Sequence, residues 1–512
     1  MLVLKWDCHQ QPSQSLMPER DYQHSRILDV HRWSEHPESN LFIDEVYDNF
    51  LNRCEKENKR IKKKHLKVVL LDLYVAWQND PDLNVAVHMS PAAYSNGTVF
   101  SSGKSRYNEL NIKVSTIDIV HRLNEAGLIG LKDGWQDSGG KGFLTRIWPT
   151  ETLTKMFEDA AFGYFDICYA ENRETIILRD EDKVDVPYDD TPNIRDMRQL
   201  LQDYNKLLEK TFIDIQSLDV PRIELPEKKK RRQSNKQVFV NITHHDKFVR
   251  RIFNNKTFDD GGRFYGGWWQ RIDSNFRKDI RMNDVPAVEI DYSSLHVILA
   301  YTEAGLDYWQ NTDKDPYDLP VRGVNNPEHS RDITKLFFLL SLNASDEQAL
   351  FKAFRSELNY KAYPYSFPNE ALAELLESIK QSHPDIAHLI CSGAGLRLMN
   401  IDSRICEYVI ADFVRTDTPI LTVHDSFIVQ IGEEDRLNQL MKEAFNEVTK
   451  KARIKVKFNQ NLTKKQLYVH GAQDRDWYLR MVGWITKGSP TNSYQRRLKS
   501  HREYFGQRDY GW

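Results

Sequence analysis

Long hydrophobic runs are absent from this sequence, and cysteines are few. The five cysteines are widely spaced and never paired as Cys-x-x-Cys, at Cys8, Cys54, Cys168, Cys391 and Cys406. This pattern argues against a disulfide framework or a zinc site and for a reducing compartment. No apolar run reaches the ~20 residues of a membrane-spanning helix, and the N-terminus MLVLKWDCHQ becomes polar too early for a signal peptide. We therefore expect a cytoplasmic protein with no membrane partner.

A global excess of positive charge is lacking too, because the formal net charge is -3. The basic residues are instead clustered in three runs, at 56–64 (KENKRIKKK), 228–232 (KKKRR) and 493–512 (SYQRRLKSHREYFGQRDYGW). The first run is either a solvated helix face or a phosphate-contacting surface. The second is a flexible joint, a backbone-binding loop or a nuclear-import signal. The third is either a surface that stacks on single strands or a helical tail packed on the rest of the chain.

The length predicts several domains rather than one. We divide the chain into a helical and basic N-terminal segment (1–65), a compact unit (66–155), a helical region with a basic linker (156–236), a larger unit (237–470) and a basic aromatic extension (471–512). The helical region is centred on an amphipathic helix predicted for 194–217, where apolar residues recur at three- and four-residue spacing.

Residues 66–155 contain two helical patterns followed by two strand-like segments. The second helix has Ser115 as its candidate N-cap, and the strands at 129–131 and 143–148 flank the polar, Gly-rich DGWQDSGGKG. This order resembles a winged helix-turn-helix domain. The resemblance implies that the second helix enters the major groove of DNA and that the wing contacts the backbone. A winged fold used only for protein contacts is the alternative.

Two aspartates stand beside β-prone apolar segments in the larger unit. The short run 287–290 leads into Asp291, and a helical pattern follows. Further on, the runs 420–423 and 427–431 flank His424-Asp425-Ser426, which predicts a hairpin with Asp425 at its tip. A carboxylate at the end of a buried strand is costly unless it binds a metal or a partner. Asp291 beside Asp425 is therefore the arrangement that two divalent ions about 3.5–4 Å apart require, and Mg²⁺, with Mn²⁺ as a substitute, is the expected cofactor.

Between these aspartates lies NNPEHSRDITKLFFLLSLNA, a predicted helix with Asn326 as N-cap and Pro327 as first residue. Arg331 and Lys335 share one face at i, i+4 spacing. Such a pair could bind a triphosphate, although taken alone it is more typical of an ordinary surface helix.

Together and in this order, the three segments resemble motifs A, B and C of family A DNA polymerases and the related single-subunit, phage-type RNA polymerases. The resemblance covers about 240–465 and implies a right-hand α+β fold of palm, fingers and helical thumb. It implies that Asp291 and Asp425 bind the metals and that Arg331 and Lys335 contact the incoming (d)NTP. His424 is the neighbour of the motif C aspartate.

Two further segments fit the same family. GGRFYGGWWQRI (261–272) lies where the family contacts the template-primer, which implies that role for Arg263. LRLMNIDSRICEYVIADF resembles the helix before motif C, with Asn400 at the family Asn and Arg404 in place of a primer-contacting Gln. The implied partners are a DNA template and primer, with RNA as the alternative.

The sequence departs from the family at positions that bear on sugar choice. Asn343 replaces a Tyr that stacks near the new base pair, and Leu339 replaces a frequent aromatic residue. His296 stands where the DNA enzymes have a Glu that excludes the ribose 2'-hydroxyl, and Ser426 gives motif C the form found in the RNA enzymes. DYSS and the Gly-Arg segment favour the DNA branch, and His296 is too bulky to leave the 2' pocket open.

Three functions follow, in decreasing order of preference. The first is a DNA polymerase without a proofreading nuclease, which would replicate a plasmid, phage or other mobile element. The second is a primase-like or single-subunit RNA polymerase. The third is a catalytically degenerate polymerase fold that acts as a DNA-binding initiator or regulator. The oligomeric state is not specified by any sequence pattern.

Overall fold

The computed structural model describes residues 20–51, 59–94, 105–225, 238–359, 362–450, 454–458 and 490–506. The chain has a mixed α+β structure and divides into two compact units. The N-terminal unit comprises Met1–Lys104 and Asn108–Asn172, and the C-terminal unit comprises Ser105–Tyr107 and Arg173–Trp512. Among the described residues, no helix combines the length and apolar character needed to cross a membrane.

In its described residues, the N-terminal unit packs four helices around a small sheet. Its helices are α1 (Pro37–Val46), extended by a wider turn at Tyr47–Leu51, α2 (Lys59–Asn79), α3 (Ser115–Glu125) and α4 (Glu151–Asp159). Its strands are β1 (Ser25–Ile27), β2 (Arg32–Trp33), β3 (Asn84–Val87), β4 (Ile129–Lys132), β5 (Trp135–Gln136), β6 (Gly142–Phe143), β7 (Thr145–Pro149) and β8 (Cys168–Tyr169). The main sheet has the order β1-β3-β7-β4, in which β7 is antiparallel to both of its neighbours.

The predicted N-cap of the second helix in this unit is wrong. Ser115 is already the first residue of α3, and Val114 before it has helical backbone angles. The helix begins there because Thr116 bonds the Lys113 carbonyl through both its amide and its hydroxyl, at 3.0 and 2.9 Å, and so supplies the local turn. The two strands predicted after this helix are present as β4 and β7, and the polar tip between them contains the short pair β5 and β6.

The C-terminal unit is built on a sheet of order β10-β15-β16-β18-β17, with β19 paired to the end of β16. Its strands are β9 (Ile176–Leu178), β10 (Ile213–Ile215), β11 (Arg222–Leu225), β12 (Val238–Asn241), β13 (Arg250–Phe253), β14 (Gly261–Tyr265), β15 (Ile280–Met282), β16 (Val285–Tyr292), β17 (Ile420–Val423), β18 (Ser426–Gln430) and β19 (Val456–Phe458). In the main sheet, β18 is antiparallel to both β16 and β17.

Helices cover this sheet and surround its core. They are α5 (Pro192–Lys210), α6 (Ser274–Arg277), α7 (Leu295–Glu303), α8 (Tyr308–Asn311), α9 (Pro327–Asn343), α10 (Glu347–Glu357), α11 (Asn369–Ser382), α12 (Gly395–Arg415), α13 (Glu434–Thr449) and a C-terminal helix, Asn492–Gly506. The long helix α12 packs against α5, α7, α9, α13 and strand β14. It therefore joins most of the elements that carry the charged motifs.

The helix predicted for 194–217 ends earlier, at Lys210. Thr211 leaves the helical conformation, and Ile213–Ile215 continues as β10 at the edge of the main sheet. Ile213 and Ile215 are β-branched and buried on either side of Asp214. Such residues favour a strand, and this one pairs with β15 instead of continuing the helix. Tyr204 of α5 also donates to the Ile420 carbonyl at 2.9 Å, so this helix packs on the sheet.

The structure can be compared with the predictions for the second and third basic runs. Residues 228–232 lie outside the described residues, and the strands that flank them, β11 and β12, pair with each other. In the third run, the helix Asn492–Gly506 packs on the C-terminal unit. Tyr494 contacts Phe212 and donates to Asp284 at 2.9 Å, and Arg497 pairs with Asp214 at 2.7 Å. This helix corresponds to the packed tail.

Candidate active site

Strand β16 and the β17–β18 hairpin place Asp291 and Asp425 at neighbouring positions. Asp291 lies inside β16, one residue before its end, whereas we expected it just after the strand. Its direct partner across the ladder is Ser426, the first residue of β18. Asp425 precedes Ser426 in the two-residue turn, and its carbonyl accepts from the Tyr292 amide at 3.4 Å. The two aspartates are therefore brought together by the register of one antiparallel pair.

The turn itself depends on His424, whose φ of 56° lies in the left-handed region. This conformation closes the hairpin in two residues and leaves the His424 side chain exposed, 6.1 Å from the Tyr265 ring between centroids. Asp425 is half-buried. Among the described residues, no side chain donates a hydrogen bond to its carboxylate.

Arg263 lies close enough to Asp425 for the charge of that carboxylate to affect its pKa. Burial alone would lower the pKa of Arg263, but the negative charges of Asp402 and Asp425 raise it above its ordinary value. Its Nε donates to the Asp402 Oδ2 at 2.7 Å. The approach of β14 to α12 requires Gly262, because a Cβ there would lie 2.9 Å from the Ser403 hydroxyl. The predicted template-primer residue thus lies near Asp425, one of the two predicted metal ligands.

His296 also contacts Arg263. Arg263 reaches its Nε2 from NH2 at 3.0 Å, and a guanidinium can only donate. Nε2 is therefore the acceptor, and the proton of the neutral imidazole belongs on Nδ1. Burial and the positive charge of Arg263 lower the pKa of His296, which keeps the ring neutral at physiological pH. The structure brings together Asp425, Arg263, His296 and Asp402.

The helix predicted to begin at Asn326 and Pro327 forms as the sequence predicts. The Asn326 side chain caps α9 by accepting from the amides of Glu328 and His329 at 2.9 and 3.3 Å, and Pro327 is the first helical residue. Arg331 is held by Asp315, at 3.0 Å from Nε and 2.7 Å from NH2. Lys335, one turn later, is half-buried and pairs with no carboxylate among the described residues.

Tyr317 connects this helix to the hairpin. The Arg331 guanidinium lies over its ring, 5.8 Å from the centroid. Burial and then the negative charge of Asp425 raise the pKa of Tyr317. The buried phenol therefore lies within the electrostatic range of both the cationic helix and the hairpin aspartate.

The remaining predicted residues lie further along the same helices. Asn343 is exposed at the end of α9, where its side chain donates to the carbonyl of half-buried Leu339 at 2.8 Å. Asn400 on α12 donates to the Phe258 carbonyl at 2.8 Å. Arg404, one turn later, is exposed to solvent. No contact links Asn343 or Arg404 to the two aspartates in the described part of the chain.

Several polar residues of the cluster have no counterpart among the residues selected from the sequence. They are Asp402, Tyr317, Asp315, Glu289 and Arg277. Glu289 could have been found by strand periodicity, because it lies two residues before Asp291 and so on the same face of β16. Asp402 lies two residues before Arg404 and one helical turn before Cys406. Only its tertiary contact with Arg263 distinguishes it from the other polar residues of this segment.

The donor set fits divalent ions that are shared with a substrate. Asp291 and Asp425 supply two carboxylates, and no group of three His, Cys, Asp or Glu side chains in the described ranges could hold a metal by itself. Mg²⁺ commonly keeps water and phosphate oxygens in addition to one or two protein carboxylates. These residues therefore suit ions that arrive with a nucleotide better than a permanently bound structural metal.

No model of a known protein family matches this sequence, and no curated protein is significantly similar to it. Among solved structures, one similar chain is the POL domain of Pol1 from M. smegmatis in complex with DNA primer-template and dNTP. The match has 14% identity and a TM-score of 0.26, and it covers 41% of this chain and 47% of that chain. This chain thus spans about half the length of that domain. A TM-score this low does not establish a shared fold, so the function is inferred below from the chain's own residues.

Proposed function

We propose that this chain is a template-directed DNA polymerase without a proofreading nuclease, and that it uses two Mg²⁺ ions for nucleotidyl transfer. The single observation that carries the proposal is the register of β16 against β18, which sets Asp291 across from the residue after Asp425. Their half-buried carboxylates would hold the ions. When bound, the ions would activate the attacking hydroxyl and stabilise the leaving pyrophosphate.

The other residues of the site are assigned to binding and orientation. Lys335 would neutralise the triphosphate, and Arg331 would exchange Asp315 for a phosphate oxygen. His296, fixed by Arg263, would pack against the sugar. Arg263, Asn400, Arg404 and His424 would contact the template-primer. Asn343 and Leu339 would lie near the incoming base.

The N-terminal unit is proposed to be a winged-helix DNA-binding domain. The order β3-β7-β4, with α3 between β3 and β4, supports this assignment because it places a helix, α3, directly before the wing. The tip of the wing carries Trp135 and Phe143, whose rings are stacked at 4.8 Å. The charge on α3 gives less support, because Arg122 of this helix is paired with Asp118 at 3.0 Å.

Primer extension by the purified full chain tests the enzymatic proposal. A primed DNA template is incubated with Mg²⁺ and either dNTPs or rNTPs, and an unprimed template is run in parallel. We expect extension of the primer with dNTPs. RNA synthesis without a primer would replace the proposal with the primase-like function, which Ser426 favours. Template binding without any synthesis would indicate the degenerate, regulatory fold, which the Arg331–Asp315 pair and exposed Asn343 favour.

A further inference from the structure

A third carboxylate lies on the same strand as Asp291 and is not used by the mechanism above. Glu289 is only 4% exposed. Since side chains alternate along a strand, Glu289 and Asp291 project from the same face of β16. A buried carboxylate is costly unless it is paired and hydrogen-bonded, so its partners indicate what it does.

Arg277 neutralises Glu289 in a two-point contact. Its Nε donates to Oε2 at 2.9 Å and its NH2 donates to Oε1 at 3.0 Å. Arg277 is itself fixed at the end of α6, where NH1 donates to the Ile272 carbonyl at 2.9 Å. This geometry is rigid because a planar guanidinium and a carboxylate meet through two parallel bonds.

Ser426 joins this pair to the hairpin. Its hydroxyl donates to Glu289 Oε1 at 2.7 Å and lies 3.1 Å from the Val423 carbonyl on the other side of the turn. Val423 and Ser426 are the last and first residues of β17 and β18, and Asp425 lies between them. The hydroxyl therefore ties both ends of the two-residue turn to the strand that carries Asp291.

We infer that Arg277, Glu289 and Ser426 act as positioning residues that hold Asp425 at a fixed place relative to Asp291. This inference rests on the proposed two-metal function. It also gives a physical role to the serine that follows the hairpin aspartate: a short hydroxyl can reach back to a carboxylate supplied by the neighbouring strand. The Arg277–Glu289–Ser426 chain would set the distance between the two metal-binding carboxylates.

A purely structural role is the competing explanation, and the same sheet offers a matched control. Asp214 on β10 is 3% exposed and is paired with Arg497 at 2.7 Å. It is as buried as Glu289 but belongs to the strand two places away from β16 in the sheet order. If burial of an ion pair is all that matters, Asp214→Asn and Glu289→Gln should have equivalent effects.

The test combines magnesium titration with hydrogen exchange. Ser426→Ala, Ser426→Thr, Glu289→Gln and Asp214→Asn are compared with the unmodified chain in primer extension, and the Mg²⁺ concentration that gives half-maximal rate is measured. Loss of groups that orient a metal ligand commonly costs 10–100-fold. We expect Ser426→Ala and Glu289→Gln to raise this concentration about tenfold or more, and Ser426→Thr, which keeps the hydroxyl, to stay close to the unmodified chain.

Hydrogen exchange of peptides spanning 420–430 supplies a readout that needs no substrate. Faster exchange is expected in Ser426→Ala and Glu289→Gln but not in Asp214→Asn, whose thermal stability alone should fall. An unchanged Mg²⁺ requirement together with unchanged exchange in Ser426→Ala would overturn the inference, even if Glu289→Gln fails to fold. Absence of synthesis by the unmodified chain would instead reject the proposed polymerase, and the exchange result would still decide whether the network fixes the hairpin.

Discussion

The two units differ in the number of partners that surround an aspartate side chain. In the N-terminal unit, the Asp72 side chain is fully buried and is bound by Arg26 at 2.7 Å, by Arg32 at 3.3 Å and by the Asp29 amide at 3.1 Å. In the C-terminal unit, Asp425 is half-buried beside one arginine, and that arginine is already bonded to Asp402. A carboxylate with saturated partners stabilises a fold, whereas one left with open coordination is available to an added cation.

The lysines show the same difference. In the N-terminal unit, Lys62 pairs with Asp118 at 3.2 Å and Lys63 pairs with Asp44, so these members of the first basic run are engaged within the fold. In the C-terminal unit, Lys335 has no carboxylate partner among the described residues. The basic run, which is conspicuous in the sequence, is thus a weaker candidate for phosphate contacts than a single lysine on α9.

The largest effect is expected from Asp425→Asn. The change removes one negative charge from the pair that would hold the ions, and such ions supply several kcal/mol of transition-state stabilisation. We expect nucleotide incorporation to fall by about a thousandfold or more, with the free energy of unfolding changed by less than about 0.5 kcal/mol. Asp291→Asn should behave in the same way. Rates close to those of the unmodified chain would refute the metal assignment.

Asp72→Asn should show the opposite behaviour. It leaves Arg26 and Arg32 without their shared counter-ion, and breaking a buried ion pair typically costs about 3–5 kcal/mol. Thermal or urea unfolding monitored by tryptophan fluorescence should show this loss in the N-terminal unit. If Asp425→Asn lowered the stability as much as Asp72→Asn, Asp425 would also have to be a carboxylate that stabilises the fold.

The sequence predicts local structure in the C-terminal unit well because the signals there are local. Asn326 and Pro327 begin α9 as their types require, and the apolar runs around Asp425 pair as a hairpin. The role of Asp402 could not be predicted, since it depends on Arg263, far away in the chain. Strand periodicity places Glu289 on the same face as Asp291, but its pairing with Arg277 is a tertiary contact that the sequence does not show. The end of α5 was missed for a similar reason, because Ile213–Ile215 is stabilised by pairing with β15.

A smaller effect is expected from Lys335→Ala, which sharpens the comparison of lysines. Removing a cation that would contact the triphosphate should raise the KM for dNTP about tenfold, corresponding to ~1.4 kcal/mol. The matched control is Lys63→Ala, which removes a partly exposed ion pair worth about 0.2–1 kcal/mol of stability. The control should leave KM unchanged. Equal KM values for the two variants would show that Lys335 does not contact the triphosphate.

A last effect, on stability rather than on catalysis, concerns one buried lysine from each unit, Lys247 and Lys67. Lys247 donates to the carbonyls of Glu209 and Thr211 at 3.0 and 2.8 Å, and burial lowers its pKa to about 7. Burial also lowers the pKa of Lys67, but the nearby negative charge of Glu35 opposes the shift. An unfolded lysine titrates near ~10.4. Between about pH 7 and that value, the unfolded chain binds more protons at position 247 than the folded one, so the free energy of unfolding rises with pH.

Lys247→Met removes this titration and isolates its contribution. Relative to the unmodified chain, the variant should be most stable below about pH 7, where the buried charge is fully present. That advantage should decline by up to ~1.4 kcal/mol per pH unit as pH rises toward 10. Urea unfolding at pH 6, 8 and 9.5 measures the slope, and Lys67→Met is the control with the smaller slope expected. A stability difference that does not change with pH would show that Lys247 is charged in the folded C-terminal unit throughout this range.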